Sequence, residues 1–328
     1  MKVVNDKYII EKETLNVGVK RFISLSDLHY GTIQQLFYKG YMEKFFDYIV
    51  SVNKGKKVDA ILIPGDLLFW LSNYQDKNFV KALQRDLEYL AYCLSAPICI
   101  SYGNHDLPFN EATLTDEEKK EWDLAQYIEN KSEGIYVLNN EQKRFDDVVV
   151  TGFSPSRDAY ATNAMPDKAI EMAKETFDKC DFTFDKKDLN ILMSHENKFF
   201  TYEQAAFQYG DLYDYITFII GGHLHDGYMP IWLQNIFKEQ LKDKGIWEKL
   251  PPCIDMCRGA FKVSSSNTSE VILPERDEYA NINLKGNEAA SIVNRGVAKY
   301  SWFIPSTPSM VTIEVIPENP RSLNKSIH

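Results

Sequence analysis

In the stretch PICISYGNHD, residues 97 to 106, a short apolar run ends directly in residues that can bind a metal ion. Four other apolar runs end in the same way. They are RFISLS (21–26) before Asp27 and His29, DAILIP (59–64) before Asp66, LNILMS (189–194) before His195, and ITFIIGG (216–222) before His223 and His225. Runs of this length and β-branched content predict buried strands.

Two stretches with a helical spacing of apolar residues, 41–52 and 79–94, separate the first three runs. Alternation of strand and helix implies crossover connections and a largely parallel sheet. In open α/β sheets the ligand crevice lies beyond the carboxyl ends of the strands. The sequence therefore predicts that all five polar clusters converge on one rim.

Further apolar runs predict a second sheet packed on the first, and they lie at 146–154, 257–263, 298–305 and 309–317. Residues 264–297 are polar and only weakly periodic, so no helix or strand is predicted for them. Long segments of this kind are usually functional or mobile. We therefore predict one domain spanning residues 1–328, with 264–297 as a loop or lid insertion.

Composition and charge argue against a nucleic-acid-binding protein and against a membrane-spanning one. The chain has 328 residues, 44% of them hydrophobic, and 37 basic against 47 acidic residues give a net charge of -10, which disfavours nucleic acid as a partner without excluding it. No apolar run approaches the roughly 20 residues that span a bilayer. With no evident signal peptide and five cysteines in no disulfide spacing, we predict a cytoplasmic protein. Its oligomeric state is left open.

The polar residues at the strand ends have the chemistry of metal ligands. Five of the six histidines lie there, together with two aspartates and an asparagine. Imidazole and carboxylate ligands without thiolate favour manganese, iron or zinc. Eight candidate ligands are too many for one ion, whereas two ions that share a carboxylate would use them all. Paired metal ions serve displacement at phosphorus, so the pattern predicts phosphoester hydrolysis.

The same residues form five motifs in a fixed order: DxH (27–29), GD (65–66), GNHD (103–106), a single His195, and GHxH (222–225). Together they resemble the calcineurin-like metallophosphoesterases. The resemblance implies an α/β fold, a four-layer αββα sandwich of two mixed β-sheets flanked by helices, with a dinuclear metal site at the sheet-edge loops. The segments DLHYG, GHLHDGY and CRGAF are similar to the bacterial phosphodiesterase branch.

The resemblance also implies a role for each site residue. The first ion would be held by Asp27, His29, Asp66 and His225, and the second by Asp66, Asn104, His195 and His223. A hydroxide that bridges the two ions would be the nucleophile. His105 would face the substrate phosphate, stabilising charge or protonating the leaving oxygen, and Asp106 would orient the imidazole of His105. Asn104 and His105 would thus supply a ligand and a proton donor from one turn.

The predicted function is a dinuclear metal-dependent phosphoesterase that hydrolyses a small phosphodiester or pyrophosphate. A nuclease of the same superfamily, a phosphomonoesterase and a binding module that keeps metal for structure are the alternatives. A protein phosphatase is disfavoured, because LLFW follows Asp66 where those enzymes carry a phosphate-binding DRG segment. Arg157 and Arg258 are candidate phosphate contacts, although such arginines are more often structural or simply at the surface.

Overall fold

The computed structural model describes most of the chain. The described residues are 3–13, 15–31, 40–68, 77–108, 114–115, 117–118, 128, 133–161, 166–201, 203–223, 259–266, 272, 274–275, 278–294, 296–297 and 308–317. All structural statements below refer to these residues. Among them, no helix is long and apolar enough to cross a membrane.

The first sheet has seven strands in the order β11-β1-β13-β2-β3-β4-β5. Its strands are β1 (Val4–Lys12), β2 (Lys20–Ser24), β3 (Ala60–Pro64), β4 (Ile98–Ser101), β5 (Ile135–Val137), β11 (Tyr279–Leu284) and β13 (Ser309–Pro317). The pair β13 and β2 is antiparallel, whereas all other neighbours in this sheet are parallel. The sheet is therefore mixed, with one antiparallel junction in the middle.

The second sheet has six strands in the order β10-β12-β9-β8-β7-β6. Its strands are β6 (Glu141–Phe145), β7 (Val148–Phe153), β8 (Leu189–Ser194), β9 (Ile216–Gly221), β10 (Gly259–Val263) and β12 (Ala289–Val293). The central strands β7, β8, β9 and β12 are parallel, and both edge strands are antiparallel to their neighbours. Two mixed sheets confirm the predicted fold class.

Helices cover the outer faces of both sheets. They are α1 (Tyr41–Asn53), α2 (Lys77–Leu94), α3 (Arg157–Ala161), α4 (Pro166–Asp178), α5 (Lys198–Thr201), α6 (Glu203–Gln208) and α7 (Leu212–Tyr215). One apolar cluster joins alternate residues of the two sheets, such as Leu62 and Phe22 with Met193 and Phe218. The other set of alternate strand residues packs against the helices. This alternation produces the four layers αββα.

A buried lysine connects the two sheets away from the polar strand ends. Lys12, at the end of β1, is 2% exposed, and its ammonium donates hydrogen bonds to the carbonyl oxygens of Ile216 at 2.6 Å, Tyr213 at 2.8 Å and Asp214 at 3.4 Å. These carbonyls lie at the end of α7 and the start of β9. Burial lowers the pKa of Lys12 to about 8.

Residues 264–297 contain structure that the sequence did not reveal. Strand β11 lies at one edge of the first sheet, and β12 lies inside the second sheet between β10 and β9. The β12 segment AASIV is short and rich in small residues, which explains its weak sequence signal. The division into one domain and the idea of a lid stay predictions. The run at 298–305 lies outside the described residues.

Candidate metal centre

The polar residues that follow β2, β3, β4, β8 and β9 meet at one end of the sandwich. We call Asp27, His29, Asp66, Asn104, His195 and His223 the donor cluster. Asp27, His29, Asp66 and His195 are fully buried, and Asn104 and His223 are partly buried. Parallel strands end at the same edge of their sheet, which is why residues so far apart in the chain come together.

Two groups of possible metal ligands lie within the donor cluster, and they share one residue. One group is Asp27, His29 and Asp66, and the other is Asp66, His195 and His223. In each group the ligand atoms lie within 4.8 Å of one another. Asp66 is thus placed between the two groups, as a bridging carboxylate would be.

The distances within the cluster show how closely the donors approach. Oδ2 of Asp66 lies 3.2 Å from Nε2 of His195 and 3.5 Å from Nε2 of His29. Nδ1 of His223 lies 3.0 Å from Oδ1 of Asn104 and 3.2 Å from Nε2 of His195. Asn104, predicted as a ligand from the GNHD motif, therefore joins the second group.

The donors fit a cation because lone pairs face one another. Nδ1 of His195 lies 2.8 Å from the carbonyl oxygen of Pro64 and must donate to it, since a carbonyl only accepts. In the neutral ring, Nε2 of His195 then carries a lone pair directed at the Asp66 carboxylate at 3.2 Å. Two acceptors at this distance repel unless a proton or a metal ion lies between them. The residues present therefore suit divalent metal ions.

The backbone of the donor cluster is strained. Four of its members have a positive φ: 43° at His29, 52° at Asp27, 55° at Asp66 and 75° at His223. Non-glycine residues rarely adopt this conformation, which costs of order 1–3 kcal/mol at each position and is concentrated at functional sites. The strain turns these short loops so that their side chains point into the cluster.

Two glycines are required because carboxylates approach them closely. A Cβ atom on Gly103 would clash with the carboxylate and backbone nitrogen of Asp66, and a Cβ atom on Gly222 would clash with the side chains of Asp27 and Ser26. Neither glycine has a positive φ. Both positions therefore need glycine because no side chain fits there, and not because of an unusual backbone conformation.

His105 lies beside the donor cluster. Its backbone N–H donates to Oδ1 of Asp66 at 2.9 Å, and its partly exposed ring packs edge-on against His29 with centroids 5.0 Å apart. The Asp106 carboxylate accepts backbone hydrogen bonds from Gly103 at 2.9 Å and Leu67 at 3.0 Å. Asp106 therefore ties the GNHD loop to the GD loop, and its predicted action on the imidazole of His105 stays a prediction.

The charges of this region shift several pKa values. Burial alone would raise the pKa of Asp66, but His195, His105 and His29 outweigh burial and hold it well below its usual range. Burial alone would lower the pKa of His195, whereas Asp66 raises it to about 10. Burial, then the charge of Asp66, raises the pKa of Asp106 to about 7. A bound cation would replace the imidazole protons, so metal binding would release protons.

His225, the predicted fourth ligand of the first ion, and Arg258 lie outside the described residues. Arg157 is partly buried beside the GNHD loop, and its guanidinium donates to the carbonyl oxygen of Leu107 at 2.8 Å. Its contact with phosphate stays a prediction.

Sequence reasoning missed two buried neighbours of the cluster, Tyr160 and Glu196. The Tyr160 ring packs against the rings of His195 and His223 with centroids 6.0 and 6.1 Å apart. Glu196 pairs with Lys198 and is 5% exposed, and burial raises its pKa. The position of Glu196 directly after His195 was a signal that could have been used, whereas nothing in the sequence singles out Tyr160.

The chain is similar to one protein family and to several solved structures. The family model described as calcineurin-like phosphoesterase matches residues 20–227. Among solved structures, a dimetal phosphatase from Danio rerio is similar, with 11% identity, a TM-score of 0.40, and coverage of 85% of this chain and 88% of the other. A phosphopantetheinyl hydrolase from Mycobacterium tuberculosis has 12% identity, a TM-score of 0.33, and coverage of 64% and 84%. No curated protein sequence matches significantly.

Proposed function

Since the chain belongs to the calcineurin-like phosphoesterase family, whose members are metal-dependent phosphoester hydrolases, we propose that it hydrolyses a small phosphodiester or a pyrophosphate. The two ligand groups that share Asp66 are the observation that carries this proposal. One shared carboxylate between two sets of imidazole and carboxylate donors is the arrangement that a dinuclear site needs. The bacterial phosphodiesterase branch and the cytoplasmic location stay predictions from the sequence.

The proposed ligands follow the two groups. Asp27, His29, Asp66 and His225 would hold one ion, and Asp66, Asn104, His195 and His223 would hold the other. Manganese, iron and zinc all suit this donor set. When bound, two such ions would polarise the phosphoester and make water a usable nucleophile near neutral pH.

His105 is the proposed proton donor to the leaving oxygen. Two observations support this role: the ring is partly exposed beside the cluster, and its backbone N–H is held by Asp66. Asp106 fixes the loop that carries His105, because its carboxylate accepts backbone hydrogen bonds from both neighbouring loops. A donor held in this way could protonate a leaving alkoxide while the cluster orients the phosphate.

The proposal is tested by hydrolysis assays with manganese. Turnover of bis-p-nitrophenyl phosphate is compared with that of p-nitrophenyl phosphate, and kcat/KM is measured for the wild type and for His105→Ala. A third substrate, a diester with an alkyl leaving group, separates acid catalysis from binding, because nitrophenolate needs little protonation. We expect diesters to dominate, and His105→Ala to lose about 10²–10⁴-fold on the alkyl ester but much less on the nitrophenyl ester.

Other results would indicate a different function. Dominant monoester turnover would replace the proposal by a phosphomonoesterase. Cleavage of DNA, with binding that weakens steeply as salt rises, would indicate a nuclease. Unfolding on chelation, without turnover of any ester, would indicate a module that keeps metal for structure.

A further inference from the structure

The buried carboxylate of Glu196 has one satisfied oxygen and one without a hydrogen-bond partner in the part of the chain that the structure describes. Oε1 lies 2.5 Å from the ammonium nitrogen of Lys198. Oε2 is buried, and it has no hydrogen-bond partner among the described residues. Nε2 of His223 lies 4.0 Å from this oxygen. Buried polar atoms without a partner are rare and costly, so this oxygen needs an explanation.

The two ring nitrogens of His223 face different surroundings. Nδ1 lies within 3.2 Å of both Oδ1 of Asn104 and Nε2 of His195, inside the donor cluster. Nε2 lies on the other side of the ring, toward Glu196. A neutral imidazole carries one proton, and only the nitrogen without it can bind a metal ion. A proton on Nε2 therefore leaves Nδ1 as a ligand.

We propose that Glu196 is a positioning residue that accepts a hydrogen bond from Nε2–H of His223 and so keeps Nδ1 available for a metal ion. The inference rests on the proposed function, because it takes His223 as a ligand. Metal-bound histidines usually donate their second ring N–H to a carboxylate, carbonyl or water, which fixes both tautomer and ring orientation. The distance of 4.0 Å is about 1 Å longer than a hydrogen bond, and a small rotation of the ring would close it.

Tyr160 restricts the ring from a third direction. Its side chain is 4% exposed and packs against His223, His195 and Phe199. With Tyr160 on one face and Glu196 at Nε2, His223 has few orientations left. Glu196 is thus the acceptor that selects the tautomer, whereas Tyr160 limits the movement of the ring.

The first test needs no substitution. In the wild-type protein loaded with zinc, long-range ¹H–¹⁵N NMR spectra of the histidine rings report which nitrogen carries the proton. We expect His223 to be protonated at Nε2 and zinc-bound at Nδ1. A His223 ring protonated at Nδ1 and bound through Nε2 would overturn the inference.

The second test compares variants by zinc titration calorimetry, with metal content measured in parallel. Glu196→Met removes the acceptor, Glu196→Gln keeps an uncharged acceptor oxygen, and Lys198→Gln breaks the ion pair but keeps the carboxylate. We expect Glu196→Met to weaken one of two zinc sites about 10–100-fold and Glu196→Gln to weaken it less, while Lys198→Gln stays within about threefold of the wild type.

Two results separate failure of this inference from failure of the proposed function. If the wild type binds fewer than two zinc ions, the dinuclear site itself is wrong, and the role of Glu196 is overturned with it. If the wild type binds two ions and Glu196→Met binds both equally well, only the inference is overturned. Equal losses in Lys198→Gln and Glu196→Met would also overturn it, because the ion pair would then explain the effect.

Discussion

The donor cluster and the Lys12 site bury charge in opposite ways. The ammonium of Lys12 donates to three backbone carbonyls, so its buried charge is satisfied within the fold. In the donor cluster, the Asp66 carboxylate lies beside imidazole nitrogens, a contact that needs a proton or a metal ion between the two atoms, and the backbone there has positive φ. The fold itself therefore satisfies the first site, whereas the second needs a proton or a metal ion from solution.

Asp66→Asn should cause the largest loss of activity while leaving the stability of the metal-free protein nearly unchanged. Loss of the shared carboxylate should lower kcat/KM on a diester by on the order of 10³-fold, because both ligand groups lose a member. Asparagine tolerates a positive φ, so the metal-free protein should unfold in urea within about 1 kcal/mol of the wild type. A variant that retains both metals and its activity would contradict the role of Asp66.

Gly222→Ala should damage the donor cluster without removing a donor. The new Cβ atom would push on the Asp27 carboxylate, so metal affinity should fall about 10–100-fold. Gly18→Ala is the matched control, because a Cβ atom there has nothing within 4 Å and its φ is not positive. Titration of both variants with manganese measures the effect, and equal affinities would show that Asp27 can move freely.

Lys12→Met should lower the stability of the protein with little loss of activity, the opposite of what we expect for Asp66→Asn. The variant leaves buried carbonyls of Tyr213 and Ile216 without their donor, which should cost about 1–3 kcal/mol in urea unfolding. Lys81→Met, at an exposed position of α2, is the control. A fall in kcat/KM per folded molecule would contradict the separation of the two sites.

The titration of Lys12 should make the free energy of unfolding depend on pH. Burial lowers the pKa of Lys12 from 10.5 to about 8 in the folded protein. Between these values the unfolded chain holds a proton that the folded protein has released, so the contribution of Lys12 to stability rises with pH. From pH 8 to about pH 10, the unfolding free energy of the wild type relative to Lys12→Met should increase by about 2 kcal/mol. A decrease in this free-energy difference would show that the pKa of Lys12 is not lowered in the folded protein.

Much of the fold was predictable because apolar runs report buried strands. The five runs that precede the polar motifs correspond to β2, β3, β4, β8 and β9, and 41–52 and 79–94 correspond to α1 and α2. Strands β11 and β12 were missed, because one is an edge strand and the other is made mainly of small residues. Strand β1 was also missed. Its buried and partly exposed residues alternate, but its buried face includes polar residues, so the sequence shows no apolar alternation.

The candidate site was predictable in its residue types but not in its supporting contacts. Motif order pointed to the donor cluster, yet it could not show that Asp106 accepts hydrogen bonds from backbone amides of two loops. The burial of Lys12 and the orientation of Glu196 depend on segments distant in the sequence. Such contacts follow from tertiary packing, on which local patterns carry little information.

The position of β13 has a consequence for biosynthesis. This strand lies between β1 and β2 and pairs with both, although about 285 residues separate it from β2. The first sheet therefore cannot close until residues 309–317 have left the ribosome, and such distant pairing makes folding slow. Because Asp27 and His29 follow β2, we expect the nascent chain to acquire its metal-binding geometry only after release of these residues.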